Sequence, residues 1–255
     1  MSSLCTNCSF RVDPILFETV ILGDEVPTSK RKEKFELFMA HIDCKPPEFY
    51  AQHVKNLWIR APSDPDAFER ILTVCSGVEN LVLFPGNKSD YFPFVPFLEH
   101  PNAGSHLRRL TCKLEYLFPP SMMPNFNYPC FTNLTHLHLY DEIEDWPAYV
   151  GFEHLCSLTH LALSCCRVGE LAIVMQKLPA LKYVAICSYV PIGYGRCHLE
   201  MRYSPIEDVC GDNVVVLEWL TIKDWEREAR GGPDFWEIVE REVAWNIRCR
   251  RARAK

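Results

Sequence analysis

Leu134-Thr135-His136-Leu137-His138-Leu139 is followed 24 residues later by the similar stretch Leu158-Thr159-His160-Leu161-Ala162-Leu163. Both stretches place aliphatic residues at the first, fourth and sixth positions, with variable residues between them. Neighbouring copies among the seven from Val54 to Ile222 begin 23 to 36 residues apart. An eighth copy, Phe17-Val20-Leu22, precedes the others. The pattern occurs seven times after that copy, at Val54-Leu57-Ile59, Val78-Leu81-Leu83, Leu107-Leu110-Cys112, Leu134-Leu137-Leu139, Leu158-Leu161-Leu163, Leu181-Val184-Ile186 and Leu217-Leu220-Ile222.

Five of the six steps between these seven copies fit leucine-rich repeats, which recur about every 20–29 residues and consist of a short strand followed by a helical or irregular return. Each unit has an apolar edge that it cannot bury alone, and stacking of neighbours buries these edges in one core. The sequence therefore predicts an α/β leucine-rich-repeat solenoid, a horseshoe-like arc with a parallel β-sheet on its concave face.

The segments between the strands contain helix signals. Residues 64–72 have an acidic N-cap and a proline at the first helical position, and residues 169–178 and 29–41 also show helical patterns. A last helix after Pro233 has apolar residues at helical spacing, and we expect it to cap the final repeat. We divide the chain into an N-terminal flank (1–28), the repeats (29–223) and a C-terminal capping helix with a basic tail (224–255).

Charge and composition limit the class of function. The chain has 255 residues, of which 27 are Lys or Arg and 33 are Asp or Glu. Five of the basic residues lie in the last eight positions, so the remainder has 22 basic and 33 acidic residues and a net charge of −11. An acidic body argues against nucleic-acid binding as the main function. The sequence contains no long apolar run and 13 scattered cysteines, so we expect no membrane partner and a cytoplasmic or nuclear location with reduced thiols.

Two flanking segments resemble a known family. Residues 11–22 (RVDPILFETVIL) are similar to the segment after the F-box in fungal, basidiomycete-type F-box-like proteins, and residues 224–236 (DWEREARGGPDFW) look like their closing segment. The resemblance implies the substrate-receptor part of a ubiquitin-ligase subunit. The adaptor-binding F-box helices of that family would stand before residue 11, where only ten residues are present, so we expect no adaptor binding.

The variable positions of the repeat strands should line the concave face, because side chains alternate along a strand. Aromatic residues and arginine are the types that anchor protein interfaces. We therefore predict that an unknown protein partner binds this face and that the chain is a monomer. The predicted partner-binding residues are Asn56, Trp58, Asn80, Arg109, His136, His138, His160, Tyr183 and Trp219.

Other candidate chemistry is weaker. The three histidines on this face could converge, but a zinc site needs a further ligand and a fixed second shell, so we expect no metal. Cys5-x-x-Cys8 has no partner pair at zinc-finger spacing. No glycine-rich phosphate-binding motif occurs, so we expect no nucleotide or other cofactor. The sequence thus predicts a non-catalytic protein-recognition module. Two alternatives remain: a degenerate or truncated paralogue without a partner, and a small cytosolic enzyme using Cys and His.

Overall fold

The computed structural model describes residues 15–23, 29–60, 65–84, 98, 105–118, 122–142, 149–165, 168–188, 211–218 and 221–253. Its main feature is one sheet of eight parallel strands whose spatial order is their order along the chain, with β1 and β8 at the two edges. The predicted α/β class with a parallel sheet is thereby confirmed. The strands are β1 Thr19–Leu22, β2 Asn56–Arg60, β3 Asn80–Phe84, β4 Arg109–Cys112, β5 His136–Glu142, β6 His160–Cys165, β7 Tyr183–Ser188 and β8 Val214–Glu218.

The strands pair with the repeat positions in register. Leu57 pairs with Leu81, Leu81 pairs with Leu110, and the alignment continues through Leu137 and Leu161. The eighth copy is confirmed as well, because Val20 of β1 lies opposite Leu57. Equivalent residues of successive repeats therefore lie side by side across the sheet.

The last predicted copy is wrong. β8 begins at Val214, which lies opposite Val184, and Val216 lies opposite Ile186, so these valines occupy the repeat positions assigned to Leu220 and Ile222. The Val214–Val216 run is β-branched and suits a strand. Ile222 begins a helix instead, since Thr221 and Asp224 form a reciprocal capping box there.

Helices return the chain between strands. The predicted helices at 29–41, 64–72 and 169–178 are confirmed, as is the helix after Pro233, whereas the helix at 47–53, which begins with a proline, was not predicted. Two short 3-10 helices, Pro129–Phe131 and Phe152–His154, lie in irregular returns. The α-helices whose two ends both lie in the described residues are α1 Ser29–Ile42, α2 Pro47–His53, α3 Pro65–Val74, α4 Leu114–Leu117, α5 Val168–Lys177, α6 Ile222–Ala229 and α7 Phe235–Arg253.

The main core lies on one side of the sheet, which we call the back face. Repeat leucines such as Leu57 and Leu161 are fully buried there against helix residues such as Ile71 of α3 and Leu171 of α5. This single cluster extends from Val20 in β1 to Val214 in β8. Burying the repeat positions together is what holds the units in one stack.

The opposite side, the front face, is covered by the C-terminal segment 221–253. Two further apolar clusters form there: Trp225 of α6 packs on Trp58 and Val82, while Val239 and Val243 of α7 pack on residues of β6, β7 and β8. We expected α7 to cap the final repeat. It instead lies across the face of the last three strands. In the part of the chain that the structure describes, no helix is long and apolar enough to cross a membrane.

Candidate functional site

The structure brings the predicted partner-binding residues together on the front face. Asn56, Asn80, Arg109, His136, His160 and Tyr183 form one row across neighbouring strands. A second row begins with Trp58 and includes His138. Trp219 lies outside the described residues. The other eight residues therefore share one surface, as the strand period predicts.

Most of this surface is not open to solvent. Trp58 is 4% exposed, His138 is 1% exposed and His160 is 6% exposed. The covering residues come from the C-terminal segment, and sequence reasoning did not place them here. They are Trp225, Glu228, Asp234, Phe235, Trp236 and Glu240. The front-face residues thus bind a helical segment of their own chain.

At the β1–β3 end, Trp225 is the covering residue. Its ring lies 5.3 Å from the Trp58 ring in an edge-on arrangement, and Trp58 stacks on Phe84 at 5.4 Å. The indole Nε1 of Trp225 donates a long hydrogen bond of 3.4 Å to the Asn80 side chain. The capping box at Thr221 fixes the start of α6. Trp225 therefore lies one turn into the helix and over β2 and β3.

At the centre of the front face, Arg109 contacts two carboxylates. Its Nη1 donates to Glu228 Oε1 at 2.7 Å, and its Nη2 donates to Asp234 Oδ2 at 2.6 Å. The second oxygen of Glu228 accepts from the Phe235 N–H, and that of Asp234 accepts from the Trp236 N–H. The two carboxylates therefore link β4 to the first N–H groups of α7, where negative charge is favourable.

The carboxylates share this site at an electrostatic cost. Burial and the nearby Asp234 charge together raise the pKa of Glu228 to about 7, against the opposing effects of the Phe235 N–H and Arg109. The side chain of Glu228 is 7% exposed, whereas that of Arg109 is 30% exposed. One cation therefore faces two acids, and Glu228 takes up a proton near neutral pH.

Next to this charge cluster lies a stack of rings. His136 stacks on His160 at 4.1 Å, and His160 stacks on Tyr183 at 4.7 Å. Trp236 packs against both histidines, at 5.0 and 5.5 Å. A protonated His136 would place a positive charge among these rings. Burial, together with the charges of His160 and Arg109, lowers the pKa of His136 to about 3.

The orientation of the stacked histidines is set by the residues before them. The Thr135 hydroxyl lies 2.7 Å from His136 Nδ1, and the Thr159 hydroxyl lies 2.8 Å from His160 Nδ1. On the other side of its ring, His160 Nε2 lies 3.0 Å from a carboxylate oxygen of Glu240 in α7. Burial still lowers the pKa of His160, against the opposing effect of Glu240.

His138 lies in the second row, below Phe235. Its ring is parallel to that of Phe235 at 6.0 Å and lies 4.5 Å from the ring of Tyr140. Burial lowers the pKa of His138 to about 3. Together with Arg109, Glu228 and Trp236 it lines a small pocket under the C-terminal segment. His138 is therefore a packing residue in this arrangement.

The described residues contain no group of three or more His, Cys, Asp or Glu side chains that could hold a metal ion. Burial raises the pKa of the Cys75, Cys130 and Cys187 thiols to about 12, which disfavours the reactive thiolate. Cys5 and Cys8 lie outside the described residues. No protein-family model matches the chain, and no curated protein matches it. The function must therefore be argued from the geometry.

Proposed function

We propose that this chain is a leucine-rich-repeat solenoid and that it acts as a non-catalytic protein-recognition module. Support for the solenoid comes from the eight parallel strands in chain order and from the repeat leucines buried in one row. The resemblance of residues 11–22 and 224–236 to F-box-like proteins agrees with a receptor role. The substrate-receptor part of a ubiquitin ligase is the specific version of this proposal.

The observation that carries the proposal is the rigid attachment of the C-terminal segment to the repeats. Trp225, Phe235, Trp236, Val239 and Val243 are all at most 7% exposed. Burial of such side chains contributes about 1.5–3 kcal/mol each, or roughly 8–15 kcal/mol for five. This is of the order of the total stability of a domain, about 5–15 kcal/mol. The segment is therefore an integral part of the fold and presents its outer surface in a fixed position.

The buried contacts of the C-terminal segment limit where a partner can bind. A foreign partner that replaced the C-terminal segment on the front face would have to offset about 8 kcal/mol or more, which is close to a millionfold in affinity. We therefore assign Trp58, Arg109, His138 and their neighbours to holding the segment. The recognition surface lies on what the repeats and the segment leave exposed.

The chemistry of the front face favours recognition over catalysis. Its histidines are packed between aromatic rings, and its carboxylates are engaged with Arg109 and with N–H groups of α7. A general base must reach a substrate proton directly or through one water molecule. Phe235 packs over the buried ring of His138 and leaves it no such access, and Trp236 covers part of the ring of His136, which is half-buried.

Affinity capture with the full chain tests the recognition proposal. The folded protein is immobilised and exposed to a lysate of the native cell, with the heat-unfolded chain and an unrelated folded protein of similar charge as controls. We expect a protein that the folded chain alone retains and that rebinds it in purified form with 1:1 stoichiometry. Failure to enrich any protein over both controls would contradict the proposal and favour a paralogue without a partner.

A further inference from the structure

The outer surface of α7 carries an exposed tryptophan. Trp245 is 59% exposed, although Val239 and Val243 of the same helix are buried against the sheet. Arg241 lies four residues before Trp245 and Arg248 lies three residues after it, so all three are neighbours on one helix face. Both arginines are exposed, as is Arg251. We call these four residues the outer stripe.

The contacts that the fold gives the outer stripe are weak: Arg241 Nε lies 3.9 Å from a carboxylate oxygen of Glu242, and Arg248 Nε donates to the Ala244 carbonyl of its own helix. A basic residue near a helix C-terminus is stabilised by the helix dipole, but this effect is confined to the last turn. Residues 244–253 contain four arginines and no acid. An exposed indole also leaves apolar ring surface in contact with water, which is unfavourable. Trp and Arg, however, are the residue types most enriched at the centres of protein interfaces.

We propose that the outer stripe binds an acidic segment of a partner protein, an inference that rests on the recognition function proposed above. Charge favours an acidic ligand, because the outer stripe itself holds three arginines and residues 244–253 hold four arginines and no acid. Carboxylates would pair with Arg241 and Arg248, and an apolar side chain would pack on the Trp245 ring. Charge-assisted pairs of this kind fix the position of a ligand and strengthen its binding.

The geometry predicts the spacing of the ligand. Arg241 and Arg248 are seven residues apart, which is about 10 Å along a helix axis. An extended peptide rises about 3.3 Å per residue and presents every second side chain on one face, so two acids four residues apart, at about 13 Å, and an apolar residue midway between them all face the stripe. The long arginine side chains span the remaining difference, and the preferred ligand is therefore an extended segment of the form acid-x-apolar-x-acid.

Two other polyanionic partners fit less well. A nucleic acid gains affinity from many phosphate contacts along a basic surface, but Glu237, Glu240 and Glu242 lie on the same helix and the rest of the chain is acidic. A membrane-surface helix needs a broad exposed apolar face, and α7 buries its apolar face against β6, β7 and β8. A short acidic peptide requires only the stripe itself.

Fluorescence anisotropy with defined probes tests this assignment. The probe is a fluorescein-labelled ten-residue peptide with two glutamates four residues apart and a leucine midway between them. The comparison ligands are the same peptide with glutamines, a single-stranded RNA of 20 nucleotides and phosphatidylserine vesicles. We expect the full chain to bind the acidic peptide at least about tenfold more tightly than the glutamine peptide, and to lose this binding as salt rises.

Variants of the full chain identify the surface. Trp245→Ala and the double variant Arg241→Gln/Arg248→Gln should each weaken binding of the acidic peptide by about tenfold or more. Arg230→Gln is the matched control, because Arg230 is an exposed arginine of the C-terminal segment that lies outside the stripe and pairs with Glu226. Its affinity should stay within about twofold. Unchanged melting temperatures would show that all these variants remain folded.

Several results would overturn the inference. They are equal binding of the acidic and glutamine peptides, unchanged affinity of the Trp245→Ala variant, or tighter binding of the RNA or the vesicles than of the acidic peptide. A native partner that is captured equally by wild type and Trp245→Ala would also overturn it while leaving the recognition function intact. If the peptides bind as expected and no native partner is captured, the proposed function fails and the acidic-peptide site stands.

Discussion

Arg109 in β4 donates a hydrogen bond of 2.7 Å to Glu228 at the end of α6, across 119 residues of sequence. The same guanidinium also contacts Asp234, which caps the start of α7. This bidentate arrangement locks the middle of the sheet to the junction between the two C-terminal helices. The attachment of the C-terminal segment is therefore specified by charge as well as by apolar burial.

Removing the cation should weaken the fold. The Arg109→Ala substitution leaves two carboxylates close together without their shared partner, and breaking a largely buried pair in this way costs about 3 kcal/mol or more. We expect a loss of about that size in urea unfolding at pH 7.5. Arg70→Ala is the control, since Arg70 pairs with Asp43 at the surface and should cost less than about 1 kcal/mol. Equal losses in the two variants would contradict the role assigned to Arg109.

Glu228 should make the free energy of unfolding decrease as the pH rises. Its pKa in the folded protein is raised to about 7 from an ordinary value of 4.5, so the folded state holds more protons than the unfolded state between these values. Its contribution is fully present below pH 4.5 and is lost as the pH rises through 7. Glu228→Gln cannot titrate, so its stability relative to wild type should rise between pH 5 and pH 8. A difference that is independent of pH, measured by urea unfolding, would show that Glu228 does not titrate as described.

His138 should have the opposite effect and make the free energy of unfolding increase as the pH rises. Its pKa is lowered by burial from 6.5 to about 3, so the unfolded state holds the extra proton in this range. The stability that it contributes is present above pH 6.5 and is lost as the pH falls toward 3.

The His138→Phe substitution keeps a ring beneath Phe235 and removes the titration. It should reduce the dependence of the unfolding free energy on pH by about one proton between pH 4 and pH 6. His154→Gln, a substitution at an exposed histidine away from the front face, is the matched control. A His138→Phe profile that overlays wild type would refute the assignment.

The contact between Trp58 and Trp225 should couple strand and helix. Each single substitution to alanine should destabilise the protein by about 3–5 kcal/mol, as is usual for large buried aromatic residues. Because the rings touch at 5.3 Å, the double variant should lose less than the two single losses combined, by about 0.5–1.5 kcal/mol. Additive losses in a double-mutant cycle would mean that the two rings contribute independently.

The sequence predicted the sheet well, because the period-2 and repeat patterns act locally. Leu57, Leu137 and Leu161 occupy the repeat positions that the sequence predicts. Because these positions align across the sheet, His136 lies beside His160. The prediction of the last repeat was wrong because Leu217, Leu220 and Ile222 match the repeat spacing by chance. The stronger local signals were the valines of β8 and the capping box formed by Thr221 and Asp224.

The covering of the front face could not be predicted in the same way. Nothing in the neighbourhood of Trp225 indicates that it packs on Trp58, which is 167 positions away, and an acidic residue such as Glu228 is usually exposed. The available signal was compositional: the segment from Trp225 to Trp236 combines aromatic residues with carboxylates, and the predicted front face offers aromatic residues and an arginine. Complementarity of this kind becomes evident only after both surfaces are built.

The most direct test of this account is hydrogen exchange on the full chain at neutral pH. If the C-terminal segment is an integral part of the fold, the amides around Val239 and Val243 in α7 should open with a free energy close to that of the central strands β5 and β6. Similar protection in α7 and in these strands is the predicted result. Exchange of the α7 amides at a much lower opening free energy than those of β5 and β6 would contradict the account, because the segment would then detach from the front face on its own.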